Sequence, residues 1–443
     1  MESAMHNRWL VNALAKAFVT GDAASDALVE RGATLLGRPW RWLRPLALRY
    51  LRTFSGETRP RQRDAVQFLL ADEGFERACL RHQRTLRLVN RLPQPAQMQP
   101  VPAADAWPLP RIESVGELAA WLEIGSGELE WFADLRGLGI KERAARLQHY
   151  SYRVLQKDNA RVRLIEAPKN RLKALQRRIL NGILEQIPVH DAAHGFRKGR
   201  SIQTFCTPHA GRRVILKMDF EDFFPSISGA RIQGLFRTAG YPEAVADLLG
   251  GLCTNAAPRS ILHAAPWSTQ EMYCRPHLPQ GAPTSPVLAN LCAYHADCRL
   301  RGLADAVGAN YTRYGDDIAF SGDDTFARCA ERFSYRAAAI LLEEGFEVHH
   351  RKTRLMRHSV RQHVAGLIIN ERLNVRRADF DELKAILTNC LRGGAASQNR
   401  SEHSRFRAHL QGRIAFVASV SPAKGRKLAS IFEGIQWDND QHE

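Results

Sequence analysis

The stretch NYTRYGDDIAFSG, Asn310 to Gly322, decides how the rest of the chain is interpreted. Apolar and polar residues alternate on both sides of Gly315-Asp316, which predicts two antiparallel strands joined by a two-residue turn. Glycine at the first turn position favours a type II′ turn, whose twist matches that of the flanking strands. Asp316 and Asp317 would then project from the tip, where adjacent carboxylates repel each other unless a cation lies between them. The tip therefore predicts a Mg²⁺ site.

A second stretch, VILKMDFEDFFPSI from Val214 to Ile227, predicts a buried strand that delivers Asp219 at its carboxyl end. Three carboxylates from two strands can hold two oxygen-preferring metal ions about 3.5–4 Å apart. Such a pair of ions clamps the attacking and leaving oxygens of an in-line phosphoryl displacement. The two stretches together indicate the chemistry of a nucleic acid polymerase.

Five stretches, in this order along the chain, resemble the reverse transcriptases of bacterial retrons. They are AHGFRKGRSI (193–202), KMDFEDFFPSI (217–227), LPQGAPTSPVLANL (278–291), YTRYGDD (311–317) and VAGLIIN (364–370). The resemblance implies an α+β protein with the right-hand polymerase fold: fingers, a palm with a ferredoxin-like antiparallel sheet, and a helical thumb. It also implies RNA-directed DNA polymerase activity.

Composition divides the chain into four segments. Residues 1–92 predict an Arg-rich helical extension, and residues 93–110 hold six prolines and predict a linker. By the resemblance, residues 111–370 would form the fingers and palm, and residues 371–443 a basic helical thumb and tail. Within the extension, Trp40, Trp42 and Tyr50 alternate with arginines. These rings could stack on bases, or they could face the core of a helical bundle whose arginines coat the outside.

Charge and cysteine content indicate which class of partner the protein binds and in which compartment it works. The 63 Lys and Arg residues exceed the 46 Asp and Glu residues, giving a net charge of +17, which favours a nucleic acid partner. Eight cysteines at irregular spacing indicate a reducing compartment. Neither a secretory leader nor an apolar run of membrane-spanning length is evident, so we expect a cytoplasmic protein without a membrane partner.

The resemblance assigns the catalytic residues. Asp219, Asp316 and Asp317 would hold two Mg²⁺ ions, for which Mn²⁺ could substitute. Lys352 occupies the place of a lysine thought to protonate the pyrophosphate leaving group in polymerases of this type. A lysine that contacts phosphate, or one that is simply solvated, explains Lys352 equally well.

The resemblance also assigns residues that contact the incoming dNTP. Phe224 matches an aromatic residue that lies under the sugar and excludes a 2′-hydroxyl, which implies dNTP rather than rNTP use. By composition alone, Phe224 would be assigned to the core. The other candidates lie on a fingertip hairpin turning at Asp158-Asn159 and on the loop before a helix: Arg163, Lys157, Arg161, Gln280 and Gly281.

Basic side chains in two regions are candidates to contact the phosphates of the RNA template and the RNA–DNA duplex. An ordinary turn and a solvated helix surface are the alternatives for these regions. The candidates are Arg197, Lys198 and Arg200 in the glycine-containing loop, and Arg376, Arg377, Lys424, Arg426 and Lys427 in the basic C-terminal segment.

Two Cys-x₂-His pairs fall outside the family pattern. Cys206 with His209 and Cys274 with His277 would make a Cys₂His₂ zinc site if the fold brought them together. Each pair alone is common in proteins, and the family that the chain resembles does not need zinc. Whether the four residues bind zinc is left open by the sequence.

The resemblance implies that the enzyme copies a cognate structured RNA encoded beside it. The product would be an RNA-linked DNA (msDNA) used in anti-phage defence, with an effector protein as a further partner. Ala365 and Arg259 replace a threonine and a histidine that retron enzymes usually carry in elements linked to RNA recognition. The alternatives are therefore another bacterial reverse transcriptase, either group II intron-like or diversity-generating, or a non-catalytic RNA-binding, maturase-like protein.

Overall fold

A computed structural model describes residues 2–55, 60–83, 85–90, 96–139, 147–156, 162–400 and 402–437. The chain divides into two compact units. The first comprises Met1–Pro188 and Phe224–Cys292, and the second comprises Val189–Phe223 and Ala293–Glu443. Helices and small antiparallel sheets occur together, which confirms the α+β class.

Helices account for most of the described chain. In chain order they are α1 (Glu2–Val19), α2 (Ser25–Leu36), α3 (Leu43–Thr53), α4 (Gln62–Ala71), α5 (Glu73–Arg81), α6 (Val115–Leu122), α7 (Ser126–Ala133), α8 (Asn170–Gly182), α9 (Ile202–Cys206), α10 (Phe223–Ser226), α11 (Gly229–Thr238), α12 (Glu243–Cys253), α13 (Trp267–Cys274), α14 (Ser285–Cys292), α15 (Tyr294–Asp305), α16 (Asp324–Glu343), α17 (Arg377–Gly393), α18 (Phe406–Val420) and α19 (Pro422–Glu433).

The strands pair into three sheets. They are β1 (Tyr150–Gln156), β2 (Val162–Pro168), β3 (Val214–Asp219), β4 (Asn310–Tyr314), β5 (Asp317–Gly322), β6 (Arg354–Arg357), β7 (His363–Val364), β8 (Leu367–Ile368) and β9 (Asn374–Val375). Short 3₁₀ helices cover Pro102–Ala104, Leu184–Gln186, Thr207–His209, Arg259–Leu262, His350–Lys352 and Ala395–Ser397.

In the first unit, α1 to α5 form a helical bundle with its own apolar core. Trp40 and Tyr50 are buried in that core, and Trp42 packs against it. The Arg38 guanidinium lies over the Trp40 ring, 3.6 Å from its centroid, on the exposed side. Burial of these rings stabilises the folded state, because each ring removes a large apolar area from water. The rings therefore serve the core, and the alternative of base-stacking aromatics is wrong for Trp40 and Tyr50.

The proline-rich segment of the first unit is bonded to neighbouring residues over its described part. The Gln99 N–H donates to the Gly240 carbonyl at 2.7 Å, and the Val101 N–H donates to the Thr238 carbonyl at 3.2 Å. Gly240 has a φ of 100°, and a Cβ there would lie 2.4 Å from the Pro100 nitrogen. Only glycine allows this close approach. Residues 99–101 of the predicted linker are thus hydrogen-bonded to the C-terminal end of α11.

The first unit contains a hairpin of β1 and β2 where the sequence predicts one. The two strands pair antiparallel, with Tyr150 opposite Pro168 and Gln156 opposite Val162. Leu164 is fully buried and packs with Ala257 and Tyr273. The turn, including Lys157 and Arg161, lies outside the described residues.

In the second unit, four antiparallel strands form a sheet in the order β4-β5-β3-β6. The outer edge of β4 is covered by the chain before α9: the Arg313 N–H donates to the Ala192 carbonyl, and the His194 N–H donates to the Arg313 carbonyl, both at 2.7 Å. One side of the sheet packs against α16, whose buried face includes Phe326 and Phe333.

The C-terminal part of the second unit is helical, as expected. Leu383 and Leu387 of α17 and Leu428 of α19 are buried in one core with residues of β7 to β9. The tail is packed as far as Trp437, whose ring lies 5.0 Å from that of Phe432. The small sheet turns at Ala365-Gly366 with positive φ at both residues, as in a type I′ turn.

Two local predictions are wrong. The sequence FEVHHRKT (346–353) predicts a strand with Lys352 at its end, but this segment makes a single bridge at Val348 and then a 3₁₀ helix, and the strand starts only at Arg354. Ser285 and Pro286 predict a helix start, and the spacing of Val287, Leu291, Tyr294 and Cys298 predicts that one helix continues through Cys298, but the helix is interrupted at Ala293. Among the helices that the described residues form, none has the length and apolar character to cross a membrane.

Candidate active site

The β4–β5 hairpin has the predicted two-residue turn. Tyr314 pairs with Asp317, so Gly315 and Asp316 alone connect the strands. Gly315 has a φ of 62°, whereas Asp316 keeps a negative φ, which is the pattern of a type II′ turn. A side chain at Gly315 would be strained in this conformation. The predicted turn type is confirmed.

Three aspartates meet at this end of the sheet. Asp219, the last residue of β3, lies directly opposite Asp317 in the antiparallel register. The Phe220 N–H donates to the carbonyl of Asp316 at 3.0 Å and so ties the turn to the end of β3. Burial raises the pKa of Asp316, and the negative charges of Asp219 and Asp317 raise it further, against a lowering by Lys352. The protein thus concentrates carboxylates whose mutual repulsion a cation would relieve.

Two lysines hold carboxylates of this cluster. Lys352 Nζ lies 2.8 Å from Asp219 Oδ1, and Lys217 Nζ lies 2.8 Å from Asp317 Oδ1. Lys352 was predicted at the site, but Lys217 was not. The strand period carries the missed signal, because residues 217 and 219 project from the same face of β3.

The three aspartates fit a divalent cation by their chemistry. Hard cations such as Mg²⁺ prefer carboxylate oxygens. In the part of the chain that the structure describes, no group of three or more His, Cys, Asp or Glu side chains is arranged to hold a metal ion. At the aspartates this has a physical reason, since Asp219 and Asp317 each direct one oxygen to a lysine. Metal binding would exchange those ammonium groups for the cation.

The residues of the proposed zinc site have other partners. His209 contacts Ser321 Oγ through Nδ1 and Thr312 Oγ1 through Nε2, both at 2.7 Å. Burial raises the pKa of the Cys206 thiol to about 12, so this sulfur stays protonated and is a poor metal ligand.

The second Cys-x₂-His pair is occupied as well. His277 uses Nε2 for Glu166 Oε2 and Nδ1 for the Arg275 carbonyl, both at 2.8 Å. With both nitrogens of each histidine engaged, the two pairs serve packing and hydrogen bonding, which argues against zinc.

Within the first unit, the candidate nucleotide residues lie on two segments that are bonded together. The Glu166 N–H of β2 donates to the Gln280 carbonyl at 2.9 Å. Gly281 has a φ of 137°, and a Cβ there would lie 2.8 Å from the Glu166 carbonyl oxygen. Arg163, on β2, has its Nε buried without a partner among the described residues. The hairpin and the Gln280–Gly281 loop are therefore held in close, glycine-dependent contact.

A buried polar network, missed by sequence reasoning, fixes this contact. The Glu166 carboxylate is fully buried and bonds His277 through one oxygen and Asn255 Nδ2, at 2.7 Å, through the other. Asn255 also donates to the Tyr152 hydroxyl at 3.1 Å. The backbone carbonyl of Arg275 has no proton, so His277 Nδ1 donates to it, and Nε2 is left for the bond with Glu166 Oε2. The network joins both hairpin strands to the segment that leads into Gln280.

Phe224 is half-buried on the short helix α10, next to the buried Phe223. Phe223 stacks on Phe220 at 4.6 Å and also contacts Phe346. Of the two adjacent phenylalanines, Phe223 is thus the core residue. Its neighbour keeps an accessible surface, as a residue that contacts a ligand requires.

The basic candidates are mostly accessible. Several are held by acidic or amide partners at the surface, and such exposed pairs are weak and can be exchanged for phosphates. Arg197 pairs with Asp191, Arg376 with Asp379, Arg377 with Asp381, and Lys424 with Asn374 Oδ1, while Lys198, Arg200, Arg426 and Lys427 are exposed.

Comparison with known proteins identifies the class of protein that carries this site. The profile of the reverse transcriptase (RNA-dependent DNA polymerase) family matches residues 155–369, the range that contains all three aspartates. The chain is therefore an RNA-directed DNA polymerase, and enzymes with this domain use divalent metal ions.

Relatives narrow the class further. The chain is 40% identical over 355 residues to the retron Mx65 reverse transcriptase of Myxococcus xanthus, covering 78% of this chain and 77% of the relative. It is 36% identical to the retron Mx162 reverse transcriptase of the same organism, over 73% of this chain and 68% of the relative. It is 30% identical to the retron Ec86 reverse transcriptase of Escherichia coli, over 62% of this chain and 77% of the relative. The chain belongs to the retron reverse transcriptases.

Proposed function

We propose that Asp219, Asp316 and Asp317 bind two Mg²⁺ ions that catalyse template-directed addition of dNTPs, with Mn²⁺ as a substitute. The observation that supports this is the register of β3 and β5, which sets Asp219 opposite Asp317 beside the turn that carries Asp316. When bound, the ions would activate the primer hydroxyl and stabilise the leaving pyrophosphate. Lys352, 2.8 Å from Asp219, is suited to donate a proton to that leaving group.

The test is DNA synthesis on a primed RNA template by Asp219→Asn and Asp316→Asn. Both variants should lose synthesis while still binding the template, because each removes a metal ligand but no phosphate-contacting cation. Asp324→Asn is the matched control, since Asp324 is an exposed aspartate at the start of α16. Near-normal extension by either active-site variant would show that the metal assignment is wrong.

We further propose that β1, β2 and the Gln280–Gly281 loop form the fingers surface for the incoming dNTP, with Arg163, Lys157 and Arg161 toward its phosphates. In this scheme the four-stranded sheet is the palm and α17 to α19 are the thumb. The accessible basic residues of the thumb and of the loop after His194 would follow the phosphates of the template duplex. The half-buried Phe224 would exclude the 2′-hydroxyl of an rNTP.

The native product that we propose is an RNA-linked DNA made on a cognate structured RNA and used in anti-phage defence with an effector protein. Similarity to retron reverse transcriptases over most of the chain supports this proposal. The test is co-expression of the protein with the intergenic region upstream of its gene, followed by analysis of the bound nucleic acid. A branched species shortened by RNase and by DNase is expected. Its absence, with good activity on unrelated primed templates, would overturn the proposed product and favour general use of primed templates instead.

A further inference from the structure

A fully buried ion pair lies directly beneath the turn that carries Asp316. Arg313, three residues before Asp316 on β4, has no exposed surface, and Asp297 on α15 is also fully buried. The guanidinium donates through Nε to Asp297 Oδ1 at 2.8 Å and through Nη2 to Oδ2 at 2.6 Å. This bidentate geometry is the strongest form of such a pair.

Stability alone does not account for this pair. Removing two charges from water is costly, and well-packed apolar residues of similar volume are often as stabilising as a buried ion pair. Arg313 makes one bond that no apolar residue could make: its third nitrogen, Nη1, donates to the carbonyl oxygen of Gly315 at 3.1 Å. Arg313 thus links Asp297 on a helix to the backbone of the catalytic turn.

The two peptide groups that flank Asp316 are both held by hydrogen bonds. The preceding carbonyl, that of Gly315, accepts from Arg313 Nη1, and the carbonyl of Asp316 itself accepts from the Phe220 N–H. Fixing both peptide planes fixes the direction of the Cα–Cβ bond between them. The Asp316 side chain therefore starts from a set position despite lying in a two-residue turn.

We propose that Asp297 and Arg313 act as a positioning pair that holds the Asp316 carboxylate in its metal-binding orientation. The inference rests on the proposed metal-binding function of the three aspartates. Neither residue of the pair would be a metal ligand, and both would act through the Gly315 carbonyl, which accepts from Arg313 Nη1. Loss of the outer partners that orient a ligand typically lowers metal affinity or activity about 10- to 100-fold.

The chain offers a matched pair of variants. Arg313→Lys keeps a positive charge for Asp297, but an ammonium group lacks the planar fork that reaches Asp297 and Gly315 together. Tyr311→Phe removes another bond to the same carboxylate, since the Tyr311 hydroxyl donates to Asp297 Oδ1 at 2.6 Å. The Tyr311 hydroxyl also interacts with the Arg313 side chain, but within the described residues it makes no bond to Gly315 or Asp316. Both variants perturb the same buried cluster, but only Arg313→Lys removes the hydrogen bond to the Gly315 carbonyl.

The experiment measures the Mg²⁺ concentration that gives half-maximal DNA synthesis, together with Mn²⁺ binding by electron paramagnetic resonance on protein with primed template. For Arg313→Lys we expect the half-saturating Mg²⁺ concentration to rise at least about 10-fold and the Mn²⁺ affinity to fall by a similar factor. Tyr311→Phe should lower the melting temperature and leave both metal readouts at their wild-type values. If the pair had only a structural role, both variants would change the half-saturating Mg²⁺ concentration and the Mn²⁺ affinity to the same extent.

A folded Arg313→Lys protein with wild-type metal readouts would overturn the proposal, and so would equal metal defects in both variants. If Arg313→Lys does not fold, Asp297→Asn takes its place. It keeps one oxygen acceptor for Arg313 but holds the guanidinium less firmly, which should weaken the bond from Arg313 Nη1 to the Gly315 carbonyl. Asp297→Asn should shift metal affinity in the same direction, and an unchanged affinity would refute the pair. Failure of the proposed metal-binding function would give a different result. In that case Asp316→Asn would bind as much Mn²⁺ as the wild-type protein.

Discussion

Protonation of His209 should destabilise the protein in mild acid. The imidazole is fully buried between β4, β5 and the 3₁₀ helix that contains it. The Thr312 hydroxyl donates to the Phe205 carbonyl, so it must accept from His209 Nε2, and Nδ1 is left to accept from the Ser321 hydroxyl. The network is therefore complete with a neutral ring, and a second ring proton has no acceptor without rearrangement.

The size of the effect follows from the pKa. Burial lowers the pKa of His209 from 6.5 to about 3, and electrostatic interactions with His194 and Arg212 lower it further. Because the folded pKa lies below the unfolded one, the unfolded chain binds the extra proton, and stability is lost as pH falls from 6.5 toward 3. A pH of 5.0 lies 1.5 units below the pKa of the histidine in the unfolded chain. At 1.36 kcal/mol per unit, the free energy of unfolding falls by about 2 kcal/mol. A folded pKa of 4 instead of 3 leaves this figure almost unchanged.

The assay is urea unfolding at pH 7.5 and pH 5.0 for wild type and His209→Gln. Glutamine can bond both hydroxyls but does not titrate, so the variant should lose about 2 kcal/mol less than wild type between the two pH values. Comparing the difference between proteins cancels the contributions of all other groups. The exposed His263→Gln variant serves as control and should follow wild type. Equal losses in wild type and His209→Gln would refute the reasoning, even if the variant were less stable at both pH values.

Three substitutions test other parts of the molecule. Gly195→Ala places a Cβ 2.6 Å from the Gly315 nitrogen, so we expect a loss of about 1–3 kcal/mol in urea unfolding, together with reduced DNA synthesis. Glu166→Ala leaves His277 buried without its acidic partner and should cost about 3–5 kcal/mol, measured in the same way. Phe224→Ala should raise the ratio of ribonucleotide to deoxyribonucleotide incorporation, measured by single-nucleotide extension, because the ring is proposed to fill the space of a 2′-hydroxyl.

Each of these predictions has its own control. Glu166→Gln can still bond both partners, so a loss as large as that of alanine would contradict the account of the buried network. Phe223→Leu alters the buried stack with Phe220 and should lower stability without changing nucleotide preference. An unchanged preference in folded Phe224→Ala would assign Phe224 to the core. Full stability of Gly195→Ala would contradict the contact with the turn.

The sequence predicted those parts of the site that depend on local pattern. Alternation around Gly315-Asp316 determined the hairpin and its turn, and an apolar run ending at Asp219 determined the third carboxylate. Both follow from strand periodicity and turn chemistry, which act within a few residues. The helical character of the basic C-terminal segment was predicted for the same reason, from spacings such as Leu383 and Leu387.

Partners distant in the chain could not be predicted. Glu166 meets His277 across 111 residues, and nothing near either one indicates the other. Arg313 resembled an ordinary polar strand residue, because alternation cannot distinguish a solvated arginine from one that meets a buried aspartate. The strand expected before Lys352 failed for a related reason. Apolar residues such as Val348 contact the end of β3 through a single bridge, so they satisfy the pattern without forming a ladder.

The chain segment along the outer edge of β4 has a consequence for how the protein behaves while it folds. An edge strand with unpaired N–H and C=O groups is a template for intermolecular pairing and aggregation. Here residues 192–194 occupy both backbone hydrogen-bonding groups of Arg313, near the C-terminal end of that edge. The loop that follows this short segment supplies Gly195 beside the catalytic turn. One stretch of sequence therefore both contacts the turn of the candidate active site and blocks edge-to-edge association of the sheet. Substitutions that loosen it should increase aggregation during expression as well as reduce DNA synthesis.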